Sequence, residues 1–304
     1  MTLLLAAVLT ISLVLIGVGL SLWTPDKSRR ELEAKYLGDK ADLLRIAGTE
    51  LHVRDIGRKQ APTLVLLHGF GSSLHTWESW ARELSGDYRV IRFDMPGAGL
   101  SGAEPNGDYS DAGSMRVLAA LMDQLGIAKA SLIGHSMGGR IAWTFAAAFP
   151  ARVDKLVLIA PDGFASPGQE YGKRSSVPAM VKLMRYVLPK PLLRMNLNPA
   201  YGDATRLTVT RYHDLLLAPG NRDAMIARMA QTELVEPGPL LRSIRAPTLL
   251  LWGEKDAMIP AANADDYITF LQDQRLVVLP GLGHLPHEEA PEISVVAVKQ
   301  FLAA

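Results

Sequence analysis

The sequence predicts an α/β fold: a doubly wound, mostly parallel sheet with a helical cap insertion and an N-terminal transmembrane helix. Short apolar runs alternate with segments of helical periodicity, which is the pattern of parallel strands joined by crossover helices. The alternation stops between residues 163 and 240 and then resumes, which predicts the cap. A long apolar stretch precedes the whole pattern and predicts the N-terminal helix.

The composition limits the functions that the chain can have. Its 304 residues, 48% of them hydrophobic, can form one large core. A net charge of +1 gives no general argument for nucleic acid as a partner. The absence of cysteine excludes disulfides, thiolate catalysis and cysteine zinc sites. The seven histidines show no metal-ligand spacing, so no metal site is expected.

Residues 1–26 are interpreted as an uncleaved, single-pass transmembrane anchor. Leu3–Trp23 carries no charge, and as a helix at ~1.5 Å per residue it would span a bilayer core of about 30 Å. A signal peptide and a buried core helix are the alternatives, but a basic n-region and a small-x-small cleavage site are lacking. The basic residues that follow slightly favour a cytoplasmic location for the rest of the chain. Residues 27–42 are charged and helix-prone, and would form a linker or a helix next to the membrane.

The sheet-containing core is expected in two parts, at residues 43–162 and 241–304, with the helical cap at 163–240 between them. In the first part, two short strands (43–47 and 50–56) share a tight turn. Buried strands are expected at 63–67, 89–93, 131–135 and 155–160, and helices at 111–125 and 137–149. In the second part, strands are expected at 248–252 and 276–279, and helices at 262–271 and 295–302. The cap segment has no buried-strand runs and is rich in methionine.

Ser136 is the candidate nucleophile. It lies in Gly134-His135-Ser136-Met137-Gly138, a G-x-S-x-G sequence between an apolar run and a helical pattern. That sequence requires a tight strand-to-helix turn, and glycines two residues before and after the serine avoid a steric collision across it. A plain glycine-rich turn is the alternative interpretation.

A serine hydroxyl needs a base, and the base needs an acid that orients it. His284 follows the last strand on a glycine-containing loop and is the candidate base, with His287 as a neighbour expected to be solvated. Asp256 follows the strand at 248–252 and is the candidate acid. Glu254 and Asp162 are alternatives, because each also follows a strand end.

Two backbone amides are expected to form an oxyanion hole. The N–H of Met137 lies at a helix N-terminus, where negative charge is favoured. The N–H of Phe70, in the His68-Gly69-Phe70-Gly71 loop, is the second candidate. His68 is expected to brace this loop and His135 to be packed, rather than either acting as a catalyst.

From about residue 43 to the end, the chain resembles the α/β-hydrolase fold family. The motifs that carry the resemblance are His68-Gly69-Phe70-Gly71, Asp94-Met95-Pro96-Gly97-Ala98-Gly99, Gly134-His135-Ser136-Met137-Gly138-Gly139, Trp252-Gly253-Glu254-Lys255-Asp256 and Gly283-His284. The resemblance implies a Ser136–His284–Asp256 triad, a cap after the sixth strand and no cofactor. Within the family, the chain looks most similar to cap-bearing serine esterases and monoacylglycerol-lipase-like hydrolases.

The sequence therefore predicts a membrane-anchored serine hydrolase that cleaves carboxylic esters, lipid esters among them, through an acyl-enzyme. Its expected partners are a small-molecule ester and a membrane, the latter through the N-terminal helix. The basic, apolar cap segment around Lys182 and Arg185 would either add to membrane binding or cover the active site. The alternatives are a carbon–carbon bond hydrolase, a cofactor-free haloperoxidase on the same fold, and a ligand-binding receptor with a vestigial triad.

Overall fold

The computed structural model describes residues 9–10, 17, 21–165, 170–174 and 176–304. Its strands are β1 (Leu43–Ile46), β2 (Thr49–Ile56), β3 (Thr63–Leu67), β4 (Arg89–Phe93), β5 (Ala130–His135), β6 (Val153–Ile159), β7 (Thr248–Gly253) and β8 (Gln274–Leu279). The α-helices bounded within these residues are α1 (Arg29–Tyr36), α2 (Glu78–Leu84), α3 (Asp111–Gln124), α4 (Met137–Ala148), α5 (Ala179–Leu183), α6 (Lys190–Leu197), α7 (Val209–Leu216), α8 (Asn221–Gln231), α9 (Pro237–Ser243), α10 (Ala264–Phe270), α11 (Pro286–Glu289) and α12 (Pro291–Ala303).

The eight strands form one sheet in the order β1-β2-β4-β3-β5-β6-β7-β8. Only the pairs β1–β2 and β2–β4 are antiparallel. All pairs from β4 through β3 to β8 are parallel, which confirms the doubly wound, mostly parallel sheet. The chain winds outward from β3 in one direction to β4 and in the other to β5. The carboxyl ends of β3 and β5 therefore meet at a topological switch point, where such sheets bind ligands.

The sheet is buried on both faces because successive side chains of each central strand point to opposite sides. In β3, Val65 and Leu67 pack into the apolar cluster beneath helices α3, α4, α9 and α10, whereas Leu64 and Leu66 pack against α2 and α12. All four side chains are fully buried. The side chains of this continuous apolar run therefore pack into both helical layers, as predicted for a strand that is buried on both faces.

The segment between β6 and β7 holds helices α5 to α9. In its described part, the only β pairing is an isolated bridge between Arg174 and Glu233. A separate apolar cluster holds this cap together, and Leu285, from the loop after β8, is part of it. The cap core therefore includes a side chain from the segment that carries the candidate base.

Most of the predicted transmembrane anchor lies outside the described residues. Within the described part of the chain, no helix is both long enough and apolar enough to cross a membrane. Leu22 and Trp23, at the end of the apolar stretch, are exposed.

The chain from Trp23 to Tyr36, which we call the docking segment, lies against the cap. The Trp23 ring stacks on Tyr186 with ring centroids 5.6 Å apart. Asp26 forms a 2.6 Å ion pair with Arg222 of α8. Further along, Asp214 of α7 accepts hydrogen bonds from Lys35 at 2.6 Å and from Tyr36 at 2.7 Å. The end of the predicted anchor therefore contacts α8 through Asp26, and the predicted linker contacts α7 through Lys35 and Tyr36.

Candidate active site

Ser136 occupies a strained turn between β5 and α4. Its backbone has φ 53° and ψ −120°, in the region that side chains other than glycine rarely adopt. A Cβ on Gly134 would lie 2.4 Å from the carbonyl oxygen of Gly138, and one on Gly138 would lie 2.3 Å from that of Leu67. The two glycines are therefore required because backbone from three segments meets here. The strain at Ser136 is consistent with a functional constraint at this position.

Asp256 and His284 form a buried pair beyond the ends of β7 and β8. His284 Nδ1 lies 2.7 Å from Asp256 Oδ2, and both side chains are almost fully buried. Asp256 Oδ1 also accepts the backbone N–H groups of Met258 and Ile259, both at 2.8 Å. These bonds fix the carboxylate so that it can receive Nδ1–H and leave Nε2 of the imidazole as the base.

The imidazole lies beside the serine turn. The ring of His284 is 4.6 Å from the ring of His135, which directly precedes Ser136. The Ser136 hydroxyl makes no hydrogen bond with a described residue within 3.5 Å. Catalytic hydrogen bonds are often long in the absence of substrate, so the bond between Ser136 and His284 would have to form when substrate binds. The structure thus brings Ser136, His284 and Asp256 together at the carboxyl ends of the parallel strands.

The two alternative acids are engaged elsewhere. Asp162 pairs with Arg140, whose guanidinium also forms a bidentate pair with Asp111 at 2.8 and 3.1 Å. Glu254 is exposed and accepts the backbone N–H of Gly281. Neither contacts His284 by a hydrogen bond, whereas Asp256 does.

The backbone N–H groups of Phe70 and Met137 donate to no described residue. Both residues line a cavity of about 290 Å³ together with Ser136, and the Phe70 side chain is 41% exposed. Two free amides at one edge of a cavity, one of them at a helix N-terminus, are suited to bind a developing oxyanion. The cavity is close to the lower end of the volume range of ligand pockets.

His68 and His135 are held as neutral, packed imidazoles. His68 donates from Nδ1 to the carbonyl of Gly69 at 2.8 Å and accepts the N–H of Met95 at Nε2. His135 donates from Nε2 to the carbonyl of His284 at 2.9 Å. Burial lowers the pKa of both, and for His135 the neighbouring imidazoles of His284 and His287 lower it further. His135 therefore tethers the loop that carries His284 to the serine turn.

The expectation that His287 is solvated is wrong, because its side chain is 1% exposed. Its ring stacks on Trp77 at a centroid distance of 4.3 Å. Its Nε2 lies 2.9 Å from the hydroxyl of Thr76. Burial pushes its pKa well below the usual value, so it remains a neutral core residue.

Asp94 fixes the loop that forms the floor of the site. Its carboxylate is fully buried and lies 2.9 Å from His52 Nδ1. It also accepts the N–H groups of Leu74 at 2.6 Å and Leu100 at 2.9 Å. Burial alone would raise the pKa of Asp94, but the hydrogen bond and charge of His52, with the nearby histidines, lower it to about 2.

Glu289 joins the base loop to the cap, and motif reasoning did not single it out. Its buried carboxylate accepts the N–H of Gly283 at 2.8 Å, next to the candidate base. It also accepts the N–H groups of Gly202 at 3.0 Å and Asp203 at 2.7 Å in the cap. A carboxylate that follows a candidate catalytic loop by a few residues was the only signal in the sequence, and it is a weak one.

The family model described as the alpha/beta hydrolase fold matches residues 62–227. The chain belongs to the α/β-hydrolase fold family. Within this family it is a hydrolase, and a small molecule is a plausible substrate. Among the described residues, no group of three or more histidine or carboxylate side chains could hold a metal ion.

Two curated relatives share a name that denotes carbon–carbon bond hydrolysis: 2-hydroxy-6-oxononadienedioate/2-hydroxy-6-oxononatrienedioate hydrolase. The one from Paraburkholderia phymatum is 34% identical over 70% of this chain and 77% of its own length. The one from Burkholderia vietnamiensis is 32% identical over 84% of this chain and 92% of its own. A solved meta-cleavage product hydrolase from Pseudomonas fluorescens IP01 has the same fold, with a TM-score of 0.71, 24% identity, and coverage of 86% of this chain and 97% of that chain.

The prediction of a carboxylic ester as the substrate is contradicted by these names. The reason for the error is chemical. The serine and the oxyanion hole act on the carbonyl group, and the imidazole can pass its proton to an oxygen or to a carbon-derived leaving group alike. The motifs therefore could not distinguish an oxygen leaving group from a carbon one.

Proposed function

We propose that the chain hydrolyses the C5–C6 bond, beside the 6-oxo group, of a 2-hydroxy-6-oxo-dienoate. The observation that carries the proposal is the shared name of relatives at 34% and 32% identity. This was the catalytic alternative in the sequence analysis, and it uses the same residues. Ser136, His284 and Asp256 supply nucleophile, base and orienting acid, and the amides of Phe70 and Met137 bind the oxyanion.

Carbon leaves only if its electron pair is delocalised. In the keto tautomer of such a substrate, C5 lies between the C6 ketone and a C3–C4 double bond conjugated to a C2 ketone. Ser136 Oγ attacks C6 while His284 Nε2 takes its proton, and the C6 oxyanion is held by the two amides. When the tetrahedral adduct collapses, the C5–C6 bond breaks and its electron pair passes through the conjugated chain to the C2 oxygen.

The remaining steps restore the enzyme. The imidazolium of His284 gives its proton to the dienolate, which leaves as a 2-hydroxydienoate. Water, deprotonated by His284, then attacks the acyl-Ser136 ester, and the second product leaves as a carboxylic acid. The net reaction consumes one water and needs no redox partner. Asp256 stabilises the imidazolium through Nδ1 in both halves of the cycle.

Two cavities meet at the oxyanion amides, so the site has space for the two halves of the substrate. The cavity of about 290 Å³ is lined by Ser136 and Asp162. A second, smaller cavity is lined by Asn221 and Arg228. Phe70 and Met137 line both. A ketone held at these amides would therefore have its two substituents directed into different spaces.

The test is turnover of a 2-hydroxy-6-oxo-dienoate by the full-length enzyme, followed through the absorbance of the conjugated chromophore. We expect Ser136→Ala to lower kcat by at least about 10³-fold, and Asp256→Asn to lower it far more than Asp162→Asn. A panel of esters of different acyl chain length is measured in parallel. Ser136-dependent cleavage of esters without cleavage of the dienoate would overturn the proposal.

A further inference from the structure

The cap exposes several large apolar side chains on one surface. Helical turns continue beyond α5, because the N–H of Tyr186 bonds to the carbonyl of Leu183 at 2.9 Å. Met180, Leu183 and Tyr186 therefore recur every three residues and lie on one side of these turns. All three are exposed, Met180 by 74%. The Tyr186 ring stacks on Trp23, which is also exposed. We call these four residues the apolar patch.

The apolar patch is not needed for the core of the cap or for the two cavities. The opposite side of the same turns already packs inward, through Met184 and the fully buried Leu188. None of the four patch residues lines the serine cavity or the smaller cavity beside it. Of the two roles predicted for this basic, apolar segment, covering the active site is therefore not the role of its exposed side. Contiguous apolar side chains left in water commonly mark an interaction surface.

The segment that carries the patch is also basic. Residues 171–194 contain six lysines and arginines and neither aspartate nor glutamate. Lys182, Lys190 and Arg194 are exposed and form no ion pair with a residue that the structure describes. The other three pair with acids outside residues 171–194: Lys173, Arg174 and Arg185. Unpaired cations beside exposed apolar side chains are typical of a surface that binds anionic lipid.

The N-terminal apolar stretch joins the cap at this same surface. In the sequence, Trp23 is the last residue of the uncharged stretch that begins at Leu3. Thr24 donates its backbone N–H to the carbonyl of Tyr186 at 2.9 Å, and its hydroxyl accepts the N–H of Leu188 at 3.0 Å. These bonds and the ring stack hold the end of the stretch on the apolar patch. Contact of an uncharged apolar stretch with lipid is favourable, and here it would bring the patch to the same lipid.

We propose that the apolar patch, together with Lys182, Lys190 and Arg194, is a docking surface for a bilayer that contains anionic phospholipid. The apolar side chains enter the boundary between headgroups and acyl chains, and the three cations contact the lipid phosphates. A second copy of the chain fits less well, because a twofold contact would place the same cations opposite one another. The inference does not depend on which bond Ser136 cleaves.

The test uses the full-length protein, whose lack of cysteine permits labelling at one chosen site. Met180→Cys places an environment-sensitive fluorophore on the apolar patch. Ala128→Cys is the matched control, since Ala128 is exposed near the amino end of β5, at the opposite end of that strand from Ser136. On phosphatidylcholine vesicles that contain phosphatidylserine, we expect a blue shift at position 180 and quenching by brominated lipid. Both effects should be weaker on phosphatidylcholine alone, and neither should occur at position 128.

Charge reversal tests the role of the cations. Each basic residue near an anionic surface strengthens binding about fivefold. Lys182→Glu combined with Arg194→Glu should therefore lower the docking equilibrium constant, measured with the fluorophore at position 180, by at least about 25-fold. Arg58→Glu combined with Arg245→Glu is the control, because it reverses two exposed cations just before β3 and β7. At physiological salt this distant pair is screened from the lipid, so the constant should change less than about threefold.

The outcomes distinguish the possible occupants of the patch. A fluorophore at position 180 that stays in water on phosphatidylserine vesicles, or an equal response to both charge reversals, would overturn the proposal. Shielding of position 180 without lipid would also overturn it. Shielding that increases with protein concentration would indicate a second copy, and shielding independent of concentration would indicate the chain's own apolar stretch. The comparison of the two vesicle compositions uses a single labelled protein, so it remains decisive even if a charge variant is unstable.

Discussion

His135 provides the sharpest test of how the candidate base is held. Its Nε2–H is bonded to the carbonyl of His284 at 2.9 Å in a buried setting. Replacement by leucine removes the donor and leaves that carbonyl without a partner, which costs about 1–3 kcal/mol. If the base loop relaxes to satisfy the carbonyl, the same free energy appears as a loss of about 5- to 150-fold in the rate of the step that needs His284. His135→Gln places an amide donor near the position of Nε2 and should recover most of the rate.

The assay is the second-order rate of fluorophosphonate labelling at Ser136, which requires the base whatever the natural substrate is. Because His135 stays neutral, the midpoint of the pH–rate profile should not move in either variant; only its height should change. Thermal unfolding of both variants monitors the fold. Equal labelling rates for wild type and His135→Leu, or equal losses in His135→Leu and His135→Gln with unchanged stability, would refute a positioning role.

Three further predictions concern the surroundings of the site. Glu289→Ala removes an acceptor of three backbone N–H groups; it should destabilise the fold by roughly 1.5–3 kcal/mol and slow Ser136 labelling, and a variant with wild-type melting temperature and labelling would contradict this. Gly138→Ala puts a Cβ 2.3 Å from the carbonyl of Leu67 and should abolish labelling, whereas Gly107→Ala, where nothing lies within 4 Å but φ is 68°, should cost only about 1–2 kcal/mol of stability. Asp94, with its pKa lowered to about 2, contributes about 2.6 kcal/mol of stability above its unfolded pKa of ~3.9, and this is lost as the pH falls towards 2. The free energies of unfolding of wild type and Asp94→Asn, measured in urea, should therefore differ more at pH 7 than at pH 3. A difference that increases as the pH falls would exclude this account.

The sheet could be predicted because each of its central strands has a sequence pattern that is typical of a buried strand. The strands predicted at 63–67 and 89–93 coincide with β3 and β4. The first is a continuous apolar run, because a strand buried on both faces needs no alternation. The edges were less predictable. β8 begins at Gln274, two residues before the expected apolar start, because its polar first residues pair with Thr248 and Leu249 of β7 rather than with the core. The last helix likewise begins at Pro291 instead of Val295, since proline is well tolerated in a first helical turn.

The site was predictable where local sequence determines it and not where distant contacts do. The glycines around Ser136 are required by a local turn, so the motif indicated them. His287 was assigned to solvent because it is polar, but its burial depends on Thr76 and Trp77, far away in the sequence. The same holds for Arg228, whose partners on residues 96–114 are brought to it only by the folded cap. The leaving group could not be read from the motifs at all, because the residues that they identify act on the carbonyl carbon.

The docking segment has a practical consequence for where this protein can be shortened. Residues 23–36 precede the sheet, yet they hold cap helices α7 and α8 through Asp214 and Arg222. Truncation just before β1 at Leu43 would remove those contacts and expose the cap side chains beneath them. An expression boundary at or before Trp23 would retain them, so the smallest unit expected to keep a native cap is longer than the sheet alone suggests.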